Sequence, residues 1–416
     1  MLVAEELEVR LGGAVVGTLT RTRSGARFRY TDDVIATLPG MPVLSASLPV
    51  SDKQFSPEAT AAWFTGLLPE DRQRDEVQRR FGLQSGTYFD LLREIGWECA
   101  GAVTIGHHGP EHPPGLLQVS SEELGKRLAA LPSHPYDETS ALRVSLGGFQ
   151  AKLLVTAQDD GWALPLNGQP STHILKPQPA GRHPALIESE AWAMAVAASV
   201  TRTAETRMLG LADAPVTLVV TRFDRRAVDG SVENVERIHQ EDAAQALGIA
   251  PERKYAASGS SSRADPTLLG LARVLDRYAQ HPLLERTRLL EQLTVNIALG
   301  NTDAHAKNYA LLHDAPGQLR LSPMYDVVPA TFVNPGQIEM GLRVDGVLRI
   351  DRVDAARIVA EARQWGMPES VATSTVVDTL EAIDRALAAA SERYPKAPAG
   401  LHEHVQARTT ALRAMG

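Results

Sequence analysis

Residues 293–308, LTVNIALGNTDAHAKN, constrain the fold of this chain more than any other stretch. Residues 289–299 are largely apolar and read as a buried helix, and Gly300 with Asn301 supplies the stop signal expected after one. Asp303, His305, Lys307 and Asn308 follow at once, so a carboxylate, an imidazole, an ammonium and an amide are gathered where a core helix must end. A polar C-cap would account for the stop alone. A catalytic role requires further parts elsewhere in the chain.

The chain has 416 residues, room for two or three domains. With 44% hydrophobic and 22% charged residues it has the composition of an ordinary globular protein with a sizeable core. A formal net charge of -8 gives no global basic surface to attract nucleic acid, which weighs against autonomous DNA binding and leaves room only for a local basic patch. The single cysteine, Cys99, excludes an internal disulfide framework and a cysteine-built zinc site, and in REIGWECAGAV it reads as a small buried hydrophobe. The first residues, MLVAEELEVRLGG, are acidic where a secretory signal is basic, and no apolar run approaches a membrane span of ~20 residues. The expected location is the cytoplasm, with no membrane partner.

Residues 7–30 alternate polar and apolar positions around glycines and predict a small antiparallel meander. Residues 57–92 switch to helical spacing, and FTGLLPEDRQRDEVQRRF carries a helix with a charged, solvated face. GHHGPEHPPG, residues 106–115, reads as a breaker-rich surface loop, with His107, His108 and His112 lacking a partner to complete a metal site. A short helix over residues 121–131 precedes a second loop, and the first domain is set at 1–135. RVSLGGFQAKLLVT then reads as a glycine turn between strands, with Gly147 and Gly148 at the turn, Ser145 at its lip and Lys152 beyond it. STHILKPQP is a strand ending in Lys176, and a helix beginning at Ile187 carries two candidate partners, Glu188 and, fourteen residues after the lysine, Glu190. APVTLVVTRFDRR is an apolar strand running into Thr221 and Phe223. Gln240, Glu241 and Asp242 are read as opening a helix, where acidic residues also serve as caps. KYAASGSSSRADP is small and polar. LSPMYDVVPAT reads as an apolar strand ending in Asp326, and residues 354–415 are helical and alanine-rich.

The spacing of Asp303 to Asn308 is that of the protein-kinase catalytic loop, where the aspartate accepts the proton of the attacking hydroxyl and the asparagine holds magnesium. The glycine turn, strand lysine, helix glutamate, apolar strand into a hinge, Asp with Asn five later, and a later Asp stand in kinase order. SLGGFQAK, STHILKP, HQED, GNTDAHAKN and LSPMYDV together resemble the HipA family of serine/threonine kinases from bacterial toxin-antitoxin systems, over nearly the whole chain. The resemblance implies an α+β, bilobal protein-kinase-like fold with an N-terminal β-meander subdomain and an all-helical C-terminal lobe, divided into an N-terminal subdomain (1–135), an ATP-binding part of the small lobe (136–223) and a mostly helical catalytic lobe (224–416).

The resemblance also implies roles. Asp303 is the general base, Lys307 neutralises phosphate charge, and His305 braces the loop. Asn308 and Asp326 hold Mg2+. ATP is held by Gly147, Gly148, Lys152, Lys176, Glu190, Thr221, Phe223 and Asn308. Ser145 matches the serine that the family autophosphorylates. The implied partners are a HipB-like helix-turn-helix antitoxin, through which alone DNA is reached, and a protein substrate of the aminoacyl-tRNA synthetase class, such as the glutamyl enzyme. One departure concerns the run after Tyr255: the family usually continues KYE into an acidic, glycine-proline stretch, whereas Ala256 to Asp265 here are mostly small and polar, which bears on substrate choice. Two other readings compete. A small-molecule phosphotransferase shares the Asp-to-Asn spacing but lacks the meander. A catalytically silent scaffold that binds an antitoxin would have lost Lys176, Asp303 or Asp326, and all three are present.

Overall fold

The computed structural model describes residues 5–23, 25–83, 87–107, 113–131, 151–159, 161–181, 183, 185–212, 214–228, 231–258, 265–315 and 317–414. They fall into two compact units, each discontinuous in sequence: Met1–Pro179 with Met208–Glu241 and Leu312–Gly317, and Ala180–Arg207 with Asp242–Leu311 and Gln318–Gly416.

The first unit opens with the expected meander. Strands Glu6–Leu11, Ala14–Thr22 and Gly25–Tyr30 pair antiparallel, and Val103–Gly106 adds to the free edge of the first strand. Alternation in GARFRY turns Ala26, Phe28 and Tyr30 inward. Helices Pro57–Thr65 and Tyr88–Ile95 supply Trp63, Phe64 and Phe89 to the same core. Each such fully buried large side chain stabilises by ~1.5–3 kcal/mol, and the meander and these helices share one core. The charged helix expected beyond it spans Asp71–Arg80.

A six-stranded sheet follows, in spatial order Gly115–Val119, Gly161–Leu166, Leu153–Gln158, His173–Pro177, Thr217–Thr221, Thr206–Leu209. Gly115–Val119 lies in a stretch too short for its periodicity to stand out, and it pairs antiparallel with Gly161–Leu166. Helix Ser121–Ala130 sets Leu124 and Leu128 against Leu153, Val155, Leu164, Leu175 and Val219.

The second unit is built around helix Pro282–Leu299. The 25-residue helix Glu369–Arg393 packs on it and on Leu186–Ala198, Ala355–Gln364 and Leu401–Ala414. Leu289, Leu290, Leu293, Val295, Ile297 and Leu299 are consequently buried, which is why this segment reads as apolar. Gly300 ends the helix at φ 72, and a Cβ there would also stand 2.1 Å from Thr331 Oγ1, so the stop requires glycine twice over.

Three local expectations need correction. Gln240–Asp242 is a strand, and only Asp242 caps a helix, the short Ala243–Ala246, through a capping box with Gln245. Asp326 does not end a strand: the strand is Gln318–Leu321, and Asp326 stands in irregular backbone at φ 59. The C-terminal lobe, expected as all-helical and set as mostly helical over 224–416, also carries strands, among them Glu339–Val344 and Val347–Arg349, a hairpin turning at Asp345 and Gly346, both at positive φ. That Asp-Gly pair between alternating apolar residues is a strong hairpin signal, here masked by the helical composition around it.

Candidate active site

The second unit gathers the polar residues of the helix end into one bonded set. Beyond Gly300, Asn301 Nδ2 donates to Asn296 Oδ1 at 2.8 Å, and Asn296 Nδ2 donates to the buried Tyr309 hydroxyl at 3.0 Å. This amide chain fixes the start of the loop to the helix that feeds it. Gly341 N donates to Thr302 O at 2.8 Å, and a Cβ on Gly341 would stand 2.7 Å from Ala304 and His305 backbone atoms, so only glycine lets the hairpin strand lie this close to the loop.

Asp303 is half-buried, and its Oδ1 accepts from the Tyr255 hydroxyl at 2.7 Å. His305 is buried, with its ring edge-on to Tyr255 at 4.8 Å between centroids. Lys307 forms an ion pair with Asp242 at 2.9 Å, their side chains 8% and 12% exposed, so its ammonium is held within the protein. Tyr325 Oη donates to Lys307 O at 2.7 Å, which binds the segment ending in Asn308 to the one ending in Asp326. Asn301 Nδ2 also reaches Asp326 O at 3.4 Å.

Asn308 is 8% exposed, and among the described residues its side-chain amide makes no hydrogen bond. An amide oxygen and the Asp326 carboxylate, on segments tied together, are hard donors of the kind magnesium takes alongside phosphate oxygens and water. Among the described residues no group of three or more His, Cys, Asp and Glu side chains is placed to hold a metal ion.

The remaining sequence candidates distribute as follows. Lys176 lies in the first unit, 8% exposed on strand His173–Pro177 and opposite Leu218 in register. Lys152 is half-buried just before strand Leu153–Gln158. Thr221 ends its strand half-buried, and Phe223 lies in the turn beyond. Glu190 belongs to the second unit; it is 1% exposed on helix Leu186–Ala198, whereas Glu188 is only half-buried. Ser145, Gly147 and Gly148 lie outside the described residues, as do His108 and His112.

Sequence reading missed a buried charge cluster around Thr221 and Phe223. Arg222 donates to Glu98 at 3.0 Å and to Asp224 at 2.7 Å, Arg225 donates to Glu98 at 3.1 Å, and Arg237 also pairs with Glu98. Ser171 N and Gly101 N complete the carboxylates at 3.0 and 2.7 Å. Burial alone would raise the Glu98 pKa, but the Arg225, Arg237 and Arg222 guanidiniums outweigh it and hold it at about 2. Cys99 sits in the same place, buried as expected, and burial pushes its thiol up to about 12, which makes it inert. TRFDRR was the available signal, since three arginines and an aspartate directly after a core strand need buried partners. Tyr255 was also missed, although it stands in the run KYAASG that departs from the expected pattern.

Two units, an α+β composition and a polar loop closing a core helix define a class of bilobal proteins. The profile of the HipA-like C-terminal domain matches residues 144–387 and that of the HipA N-terminal domain matches residues 7–106. The chain belongs to the HipA family. Y4mE of Sinorhizobium fredii, provisionally named a kinase, is 34% identical over 414 residues, covering 93% of each chain. The serine/threonine-protein kinase toxin HipA of Shewanella oneidensis is 26% identical over 400 residues, covering 92% of this chain and 88% of that one. The solved complex of Shewanella oneidensis MR-1 HipA with HipB and operator DNA matches with a TM-score of 0.81 at 24% identity, over 98% of this chain and 96% of that chain, which establishes the shared fold.

Proposed function

We propose that this protein is an ATP-dependent serine/threonine protein kinase acting as the toxin of a toxin-antitoxin pair. The observation that carries this reading is the bonded loop of the second unit, where Asp303 is held at one oxygen and the Asn308 and Asp326 segments are tied together by Tyr325. The relatives named as kinases support the same chemistry.

In this reading Asp303 accepts the proton of the incoming hydroxyl, and Asn308 with Asp326 would hold Mg2+, which neutralises charge developing on the transferred phosphoryl group. Lys176 contacts the nucleotide phosphates, Glu190 is assigned to the same nucleotide-binding set, and Lys152, Gly147 and Gly148 line the nucleotide. Thr221 and Phe223 flank the base. Lys307 sets the electrostatics of the loop through Asp242, and His305 braces it. Ser145 is the autophosphorylation site, where a phosphate of charge roughly -1.5 to -2 would draw the glycine turn toward cations and limit activity. The divisions at 135 and 223 separate the N-terminal subdomain, the ATP-binding part and the catalytic part.

The partner is a HipB-like helix-turn-helix antitoxin, as in the Shewanella complex, and DNA is reached through it, in keeping with a net charge of -8. The target is an aminoacyl-tRNA synthetase, the glutamyl enzyme first, so that phosphorylation inhibits translation and growth and favours persistence. The site of action is the cytoplasm; among the described residues no helix is long and apolar enough to cross a membrane. Incubating the full chain with labelled ATP, Mg2+ and a synthetase panel tests the reading. Label on Ser145 and on one synthetase, both abolished by Asp303→Ala, is expected. Absence of transfer to either would sink it, and transfer to a small molecule instead would select the phosphotransferase alternative.

A further inference from the structure

Tyr255 is 44% exposed, yet its hydroxyl is committed to Asp303. The backbone on either side of it is pinned. Lys254 O accepts from Ala306 N of the loop at 3.1 Å, and Ala256 N donates to Gly341 O at 2.8 Å on the strand that itself bonds Thr302. Further along, Arg343 donates to Ala257 O at 2.8 Å and Ser258 Oγ to Glu339 at 2.8 Å. The phenol therefore projects from a segment sewn to both the loop and its neighbouring strand, while its ring rests edge-on against His305 and lies under the Lys254 ammonium at 5.5 Å. A flexible surface tyrosine would need none of these ties.

A carboxylate that takes a proton from a substrate hydroxyl works only when one oxygen is aimed at that hydroxyl, and a fixed bond to the other oxygen provides the aim. We infer that Tyr255 is a positioning residue for Asp303: it binds Oδ1 and restricts rotation of the carboxylate that would take the acceptor's proton. The inference rests on the kinase reading above. It also gives the run after Lys254 a role in setting the geometry of the base, in addition to any part in substrate choice.

The test is Tyr255→Phe in the full-length chain, with Tyr278→Phe, a half-buried tyrosine on helix Leu268–Tyr278, as the control. With labelled ATP, Mg2+ and a protein acceptor, Tyr255→Phe should lower kcat about 10- to 100-fold with the KM for ATP unchanged, because only orientation is lost. The control should transfer at the wild-type rate. On an Asp303→Asn background, adding Tyr255→Phe should lower transfer no further. Wild-type or faster transfer by Tyr255→Phe would overturn the inference, as would phosphate mapped to Tyr255 itself, which would make it an acceptor, or a loss confined to KM. If the wild-type chain transfers no phosphate, the kinase reading fails, and unfolding then judges the pair. Non-additive melting shifts of Tyr255→Phe and Asp303→Asn support the bond, and additive shifts overturn it.

Discussion

Two polar clusters, one in each unit, are built of the same residue types and are finished differently. In the first unit Glu98, Arg222, Asp224 and Arg225 have side chains 1–3% exposed, and their carboxylates are met by guanidiniums and backbone N-H groups. In the second unit Asp303 and Asp326 remain half-buried, and the Asn308 amide has no hydrogen bond among the described residues. A fully buried charge cluster bonded to its own backbone holds that backbone in place; a half-buried one can be reached by a ligand. The first is read as architecture and the second as chemistry, although both are made of the same residue types.

Substitutions at the two sites should therefore separate stability from activity. The largest effect is expected from Glu98→Ala, which takes the shared carboxylate from Arg222, Arg225 and Arg237 and leaves Asp224 as the carboxylate for the first two; breaking a buried network of this kind costs ~3–5 kcal/mol, a loss visible as a sharply lowered Tm. The same group gives a pH test. Because the folded pKa of Glu98 is depressed to about 2 from 4.5, its contribution is fully present above pH 4.5 and is lost as pH falls toward 2. Thermal melts of Glu98→Gln should lack that part of the acid dependence, and an unchanged acid limb would show that Glu98 is not a source of it.

Next in size, Asp303→Ala should cut phosphoryl transfer about 10²- to 10⁴-fold, the usual range for a general base, without the stability loss seen at Glu98. Gly341→Ala should come third. Its Cβ must displace Ala304 and His305, and a misplacement near 1 Å costs roughly 10²-fold in rate. Steady-state kinetics beside a melt would show a drop in kcat larger than the drop in stability. The smallest effect belongs to Lys307→Met, which leaves Asp242 buried without its ammonium and should destabilise by about 1–3 kcal/mol, read by urea denaturation.

The readable parts of the fold were those where local pattern and burial agree. The meander alternates with period two. Helix Pro282–Leu299 ends at a glycine that its backbone demands, and the Asp303 to Asn308 spacing lies within six residues of one loop. The family resemblance read from these motifs agrees with the matching profiles. What could not be read depends on distant pairing. Tyr255 and Asp303 are 48 residues apart, Asp242 and Lys307 are 65, and Glu98 and Arg222 are 124. Nothing in a local window distinguishes Tyr255 from any other surface tyrosine. Asp326 was placed on a strand because LSPMY is apolar, yet the strand ends at Leu321 and the aspartate takes a left-handed backbone that no apolar pattern encodes.

The loop that opened the sequence reading has two possible uses, a polar end to a core helix or the catalytic centre of a kinase. Measuring phosphoryl transfer from labelled ATP and the thermal melt on the same samples of wild type and Asp303→Asn decides between them. The kinase account predicts that transfer to Ser145 and to a synthetase is lost while the melt is nearly unmoved. Transfer retained by Asp303→Asn at an unchanged melt would contradict it.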